Sequence, residues 1–101
     1  MISVKFNPFY KDKGKSFIMY SVSFDGQRIQ GSTKISIPIP SENWDFENHS
    51  VKKNCKDSNY NNTNLNDFRT KIEKYYHSLN ASDEIITKEK IKERINEFFN
   101  P

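Results

Sequence analysis

Arg28, Gln30, Ser32 and Lys34, together with Ser21 and Ser23, are the residues whose types and spacing suggest chemistry: they recur at every second position along two short segments, with no acid among them. A guanidinium, an amide, an ammonium and small hydroxyls can donate hydrogen bonds to phosphate oxygens and to the polar edges of planar bases. A merely solvated face would carry acids as well. Other chemistries find no support. The three glycines form no phosphate-cradling loop, no His/Cys pair stands at ligand spacing, and there is no Gly-x-Ser-x-Gly elbow. His49 in a polar segment and His77 in a helical pattern read as ordinary surface histidines. Glu42, Asp45 and Glu47 lack a complementary base or ligand nearby, and the single Cys55 reads as a plain thiol without a disulfide partner. Neither catalysis, nor a metal, nor a cofactor is expected from these residues.

The element that must position the candidate residues is a hairpin. Asp25-Gly26 between two alternating runs predicts a two-residue type I′ turn. Counting outward pairs Phe24 with Gln27, Ser23 with Arg28, Val22 with Ile29, Ser21 with Gln30, Tyr20 with Gly31, Met19 with Ser32 and Ile18 with Thr33. Opposed residues of an antiparallel pair share a face. One face therefore collects Ile18, Tyr20, Val22, Ile29, Thr33, Ile35 and Ile37, a core face. The other collects Met19, Ser21, Ser23, Arg28, Gln30, Ser32, Lys34 and Ser36.

Around the hairpin, Ile2 to Phe6 alternates and predicts a first strand with Ser3 and Lys5 outward, ended by Pro8. A basic connection from Phe9 to Lys15 follows, with Gly14 as its turn residue. Pro38 and Pro40 stop the third strand near Ile37. Ser41 to Asp45 reads as a turn or short helical start, with Ser41 as a cap and Trp44 as an anchor onto the sheet. Glu47 to Asn61 is polar and aperiodic, a loop. Leu65, Phe68, Ile72, Tyr75, Tyr76 and Leu79 mark one face of a helix over about 62–79 that covers the sheet. Thr87 caps a second helix to about Phe99, with Ile91, Ile95, Phe98 and Phe99 on one side. With the sheet already covered, that stripe has no partner within the chain, so a loosely docked helix is expected. The apolar pair just before Asn100-Pro101 reads as a chain cut short. The fold class is α+β: a three-stranded antiparallel meander backed by one long helix, with a shorter helix after it.

Composition agrees with a small core. The chain has 101 residues, 34% of them hydrophobic, and a mean hydropathy of -0.91. No run of about 18 apolar residues and no charged-then-apolar start occurs, which predicts a soluble, cytoplasmic chain without a membrane partner. Net charge is +3, unevenly placed. Residues 1–40 carry Lys5, Lys11, Lys13, Lys15, Arg28 and Lys34 against Asp12 and Asp25, whereas residues 41–101 hold ten cations and eleven acids. A basic sheet region is thus concealed in a modest global charge, the footprint of a nucleic-acid binder. Of the 14 aromatics most fall on core positions, and only Phe17 and Met19 project outward with apolar side chains, too few to stack single-stranded bases. A double-stranded partner fits better.

Three strands, the Asp25-Gly26-x-Arg28 turn, Ser32-Thr33-x-Ile35 on the third strand, Pro40-x-x-x-Trp44-Asp45, a polar gap and a long helix come in an order that resembles the N-terminal arm-type DNA-binding domain of tyrosine recombinases. Among these the chain looks most like the integrases of phages and of conjugative or mobilisable transposons. The resemblance covers residues 2 to about 80. The Thr87-x-x-x-Ile91 helix resembles the start of the helical, SAM-like core-binding domain that follows in that family, which divides the chain into an arm-type domain, 1–80, and a linker with a first core-binding helix, 81–101. What the resemblance implies is sequence-specific binding of duplex DNA, the exposed sheet face lying in the major groove of arm-type sites during DNA integration and recombination. That face is Met19, Ser21, Ser23, Arg28, Gln30, Ser32 and Lys34, with Arg28 and Gln30 for base edges and Lys5, Lys15 and Lys34 for phosphates or bases. Family members often carry Arg at the position of Ser21 and Gly at that of Lys34, so the sequence preference should differ. The family's catalytic residues lie in a C-terminal domain, so Tyr75 and Tyr76 are not a nucleophile, this stretch is no enzyme, and its other partners are further integrase protomers. The alternative is a protein-interaction module using Phe17, Met19 and the second helix's stripe. Double-stranded RNA is disfavoured by the lack of a second basic loop.

Overall fold

Asp25 and Gly26 both take positive φ, 47° and 78°, as the two central residues of a type I′ turn must. The register that follows pairs Phe24 with Gln27, Ser23 with Arg28, Val22 with Ile29, Ser21 with Gln30, Tyr20 with Gly31 and Met19 with Ser32. The structure, a computed structural model, describes residues 1–12, 15–38 and 40–100, without the side chains of residues 10–12, 15, 40 and 41. The turn role expected of Gly14, the cap expected of Ser41 and the side chain of Lys15 lie outside the described residues.

Strands β1 (Ile2–Asp12), β2 (Lys15–Phe24) and β3 (Gln27–Pro38) form one antiparallel sheet in that order. Alternation buries Ile2, Val4, Phe6, Ile18, Val22, Phe24, Ile29, Thr33 and Ile37 on one side, with Tyr20 and Ile35 half-buried beside them. Pro8 does not end β1 as expected. It sits opposite Ile18 and the strand continues to Asp12. β1 is an edge strand, and there a residue without an N–H can lie with its missing donor toward the open side.

The expected pairing of Ile18 with Thr33 is also corrected. Beyond Met19 and Ser32 the register slips, so that Phe17 faces Ser36 and Ser16 faces Ile37. β3 therefore carries two extra residues here, and its own side chains fasten the bulge. Thr33 Oγ1 donates to the Ile18 carbonyl at 2.7 Å and accepts from the Ile35 N–H at 3.2 Å, while Ser32 Oγ accepts from the Lys34 N–H at 3.0 Å. Lys34 stands at φ 64°, in the left-handed region. Because two residues are inserted rather than one, the faces keep their parity: Thr33 and Ile37 stay buried, Lys34 and Ser36 exposed.

The inner face is covered by α2 (Ser58–Ala81), whose buried Leu65, Phe68, Ile72, Tyr76 and Leu79 recur at steps of three and four. It begins four residues before the predicted start, so the expected loop over 47–61 is shorter. Its end is a left-handed closure at Asp83, φ 54°: the Glu84 N–H reaches the Leu79 carbonyl at 3.0 Å and the Asp83 N–H that of Asn80 at 3.3 Å. Between sheet and helix lie a single turn, α1 (Pro40–Asn43), and a two-stranded ribbon of β4 (Trp44–Asp45) and β5 (Ser50–Val51) that the sequence did not predict. Trp44 is buried as an anchor, 1% exposed. The Asp45 carboxylate accepts from the backbone N–H groups of Glu47 and Asn48 and from the Asn48 amide, and the Asn62 amide exchanges two 2.9 Å bonds with the Val51 backbone. At the ribbon's tip His49 Nδ1 donates to the Phe6 carbonyl at 3.0 Å, covering part of the open edge of β1.

Helix α3 (Lys88–Phe99) starts where predicted, with Thr87 Oγ1 accepting from the Lys90 N–H at 3.2 Å. Its stripe does have a partner in the chain, contrary to expectation. Ile91 and Ile95 are 0% and 1% exposed, and Phe99 stacks on Phe68 at 5.4 Å and on Tyr20 at 6.1 Å. Two buried isoleucines contribute about 1.5–3 kcal/mol each, against at most about 1 kcal/mol for the exposed Arg94–Glu97 pair. Apolar burial therefore holds α3.

Two outcomes follow from this packing. A Cβ on Gly31 would sit 2.6 Å from Tyr20 Cζ, so Gly31→Ala must push the ring toward Phe99; a thermal melt should show a loss of about 1–3 kcal/mol, as overpacking does, with reduced hydrogen-exchange protection in α3. The hydrogen bond from the Asn48 amide, then those from the backbone and the charge of Lys52, hold the Asp45 carboxyl below its ordinary value of 3.8. A lowered native value stabilises the fold above 3.8 and that stabilisation is lost as pH falls through and below it. Acid unfolding of Asp45→Asn should accordingly lack part of the wild-type pH dependence in that window.

Candidate nucleic-acid interface

With the inner face filled, the opposite face of the sheet carries the candidate residues in rows set by the register. Ser3, Ser23 and Arg28 form the row next to the turn, Lys5, Ser21 and Gln30 the next, and Asn7, Met19 and Ser32 the third. Phe9 and Phe17 lie across from each other beyond these. Lys5, Arg28, Gln30 and Lys34 are exposed, while Met19, Ser21, Ser23 and Ser32 are half-buried between neighbouring strands. Lys15 pairs through its backbone with Pro38 at the far end of the sheet.

No acidic residue belongs to these rows. The carboxylate of Asp25 in the turn is drawn toward the helical layer, where the Tyr76 hydroxyl donates to its Oδ1 at 3.0 Å. Burial first, and then that carboxylate, push the Tyr76 phenol above its ordinary 10.0, so at neutral pH it stays a donor and holds the carboxylate where it is. Tyr76 is thus a clamp between α2 and the hairpin tip, and its neighbour Tyr75 receives the Arg94 guanidinium over its ring at 4.8 Å. Both tyrosines belong to packing.

The cations on the face differ in how they are held. Arg28 and Lys5 project from regular ladder positions. Lys34 stands on the bulge, in a backbone conformation that costs a non-glycine residue about 1–2 kcal/mol. Glycine is the residue that takes this conformation freely. Ser32 has one role the sequence did not suggest, since its oxygen accepts the Lys34 N–H within the bulge; its hydroxyl proton remains free to donate. Asn7 and Phe9 were missed because Pro8 was read as a strand end. The alternation of Phe6, Asn7, Pro8 and Phe9 carried the signal.

Other chemistries stay without a site among the described residues. No cluster of three or more His, Cys, Asp or Glu could hold a metal ion, and no helix is long and apolar enough to cross a membrane. Cys55 is buried.

Comparison with known proteins agrees with the geometry. A family model described as the Arm DNA-binding domain matches residues 9–92, from the second half of β1 through the first turn of α3. Neither a curated protein nor a solved structure matches the chain. The match takes in the end of β1, all of β2, β3 and α2, and every site residue expected from the sequence but Lys5. With the greater part of the chain matched, the protein belongs to the Arm DNA-binding domain family, the non-catalytic arm-type DNA-binding module of tyrosine recombinases.

Proposed function

We propose that the chain binds duplex DNA sequence-specifically at arm-type sites, with the outer face of the sheet in the major groove, as the accessory domain of a site-specific integrase. The observation that carries this reading is a face with no acid among its described residues, where Lys5, Arg28, Gln30 and Lys34 stand exposed around the hydroxyls of Ser21, Ser23 and Ser32. A twisted antiparallel ribbon fits the width of the major groove. Arg28 is suited to a guanine edge and Gln30 to an adenine edge, with Lys5, Lys15 and Lys34 on phosphates.

In this reading the module works by tethering. Holding one DNA segment raises the effective concentration of linked catalytic domains at a second segment, to about millimolar for short linkers. A catalytic domain elsewhere in a longer chain and further protomers on neighbouring sites, as in phage and transposon integrases, belong to the same proposal. So does a division near residue 80, in which 81–101 lead into a core-binding domain while α3 packs on this one. The alternative of a protein-interaction module loses one of its two surfaces, because the stripe of α3 is taken up within the chain.

Fluorescence anisotropy with labelled duplexes over a range of salt tests the reading. Contact with four phosphates predicts that log affinity falls against log salt with a slope near about -3.6; a flat response, or no binding at low salt, refutes it. Arg28→Ala should leave stability within about 0.5 kcal/mol and lower discrimination by about 1–3 kcal/mol at one base pair. Lys34→Gly separates stability from binding: relief of the left-handed conformation should raise stability by up to about 1 kcal/mol, while loss of the ammonium weakens binding and lowers the salt slope by about one.

A further inference from the structure

The outer face changes character along the strands. Near the Asp25-Gly26 turn it is polar, whereas at the far end Phe9 and Phe17 lie opposite one another, 57% and 37% exposed, with Met19 beside them. These three, with Ser32 and Lys34, line an open cleft of about 340 Å³. Large apolar side chains grouped on the wet side of a sheet mark a binding surface more often than chance exposure. The inner face does not require them there, since Phe6, Ile18 and Ile37 already fill that end of the core.

We propose that this cleft receives the 5-methyl groups of thymines, so that the DNA site is read in two parts: methyl groups at the Phe9–Phe17 end and hydrogen-bonding base edges at the Arg28–Gln30 end. The inference rests on the reading that the outer face lies in the major groove, and it specifies what that face selects. The occupant follows from continuity and charge. The cleft is the same surface as the polar rows, its rim carries the Lys34 ammonium, and no acid lines it among the described residues. Within the major groove the thymine methyl is the apolar group on offer. The row of Phe9 and Phe17 is six residues along β2 from that of Ser23 and Arg28, roughly 20 Å at about 3.4 Å per residue, so the two parts of the DNA site are set several base pairs apart along the groove. The bulge serves this arrangement by carrying Lys34 outward at the cleft's rim without reversing the faces of β3.

Selection from a pool of randomised 20-base-pair duplexes, followed by replacement of each thymine in the enriched duplex by deoxyuridine, tests the inference. Deoxyuridine keeps the pairing and removes only the methyl. The 101-residue chain should enrich duplexes with thymines clustered several base pairs from an Arg28-dependent position, and deoxyuridine there should weaken binding about fourfold per methyl, the ratio equivalent to about 0.8 kcal/mol. Phe17→Ser and Phe9→Ser should abolish the thymine/uracil difference while leaving the Arg28-dependent position unchanged, and Phe17→Leu should retain it; all three lie on the exposed face, and a melt confirms folding. An enriched duplex indifferent to every deoxyuridine overturns the inference and leaves the DNA reading standing, as does a thymine/uracil difference that persists in both serine variants. A concentration-dependent dimer lost in Phe17→Ser, with no uracil effect, assigns the cleft to a second copy of the chain and overturns it too. Failure to enrich any duplex overturns this inference and the DNA reading together.

Discussion

Everything on the exposed face depends on the register of one turn. Asp25 and Gly26 adopt the two left-handed conformations that let a two-residue loop follow the twist of its strands, and the pairing that results decides which side chains share a side. Asparagine and glycine are the commonest solutions in such turns, and aspartate tolerates the first position because its short side chain can bond locally. Here the bond is tertiary. Tyr76 of α2 holds the Asp25 carboxylate and packs edge-on against Phe24 at 6.2 Å, so the helix that covers the core also restrains the hairpin and keeps the turn's negative charge off the outer face.

The division of the sheet into a dry and a wet side is completed from the helical layer. Phe68 is the centre of an aromatic group that takes in Phe6 at 6.0 Å, Tyr20 at 5.1 Å and both Phe98 and Phe99 at 5.4 Å. Offset and edge-on contacts at these spacings favour binding beyond simple area burial. Gly31 leaves room for Tyr20 to lie across β3 and meet Phe99. Because the interior is satisfied without them, the outer positions are released from packing and can be chosen for what they donate to a ligand.

Lys34 is an exposed cation held at a conformational cost. The two-residue bulge is secured by Thr33 and Ser32, whose hydroxyls bond the local backbone, and the lysine is held in a conformation that glycine would take without strain. Local strain persists where surrounding bonds over-determine it and is concentrated at binding surfaces. The cation gains an outward position at the sheet's far end and loses some conformational ease. On the opposite edge, His49 bonds the Phe6 carbonyl from the β4–β5 ribbon, so the edge strand that contributes Lys5 is partly closed to pairing with another chain.

The alternating runs on either side of Asp25-Gly26, clearest over Tyr20 to Phe24 and Lys34 to Ile37, were sufficient to name the turn, both faces and most candidate residues, because side-chain direction in a strand repeats every two residues whatever else the chain does. Helix positions followed for the same kind of reason from their three- and four-residue steps. Three things were decided only in the tertiary structure. Pro8 could be either a strand end or an edge residue, and its neighbour β2 on one side alone made it the latter, which brought Asn7 and Phe9 onto the wet face. The bulge at Lys34 depends on side chains bonding backbone across the strand pair, a choice that alternation cannot register because an insertion of two leaves the pattern unchanged. The partner of the α3 stripe was invisible because an apolar stripe specifies burial and not the surface it is buried against. Only the tertiary packing, with Phe99 stacked on Phe68 and Tyr20, shows that Ile91, Ile95 and Phe99 close against the same core as the sheet and α2.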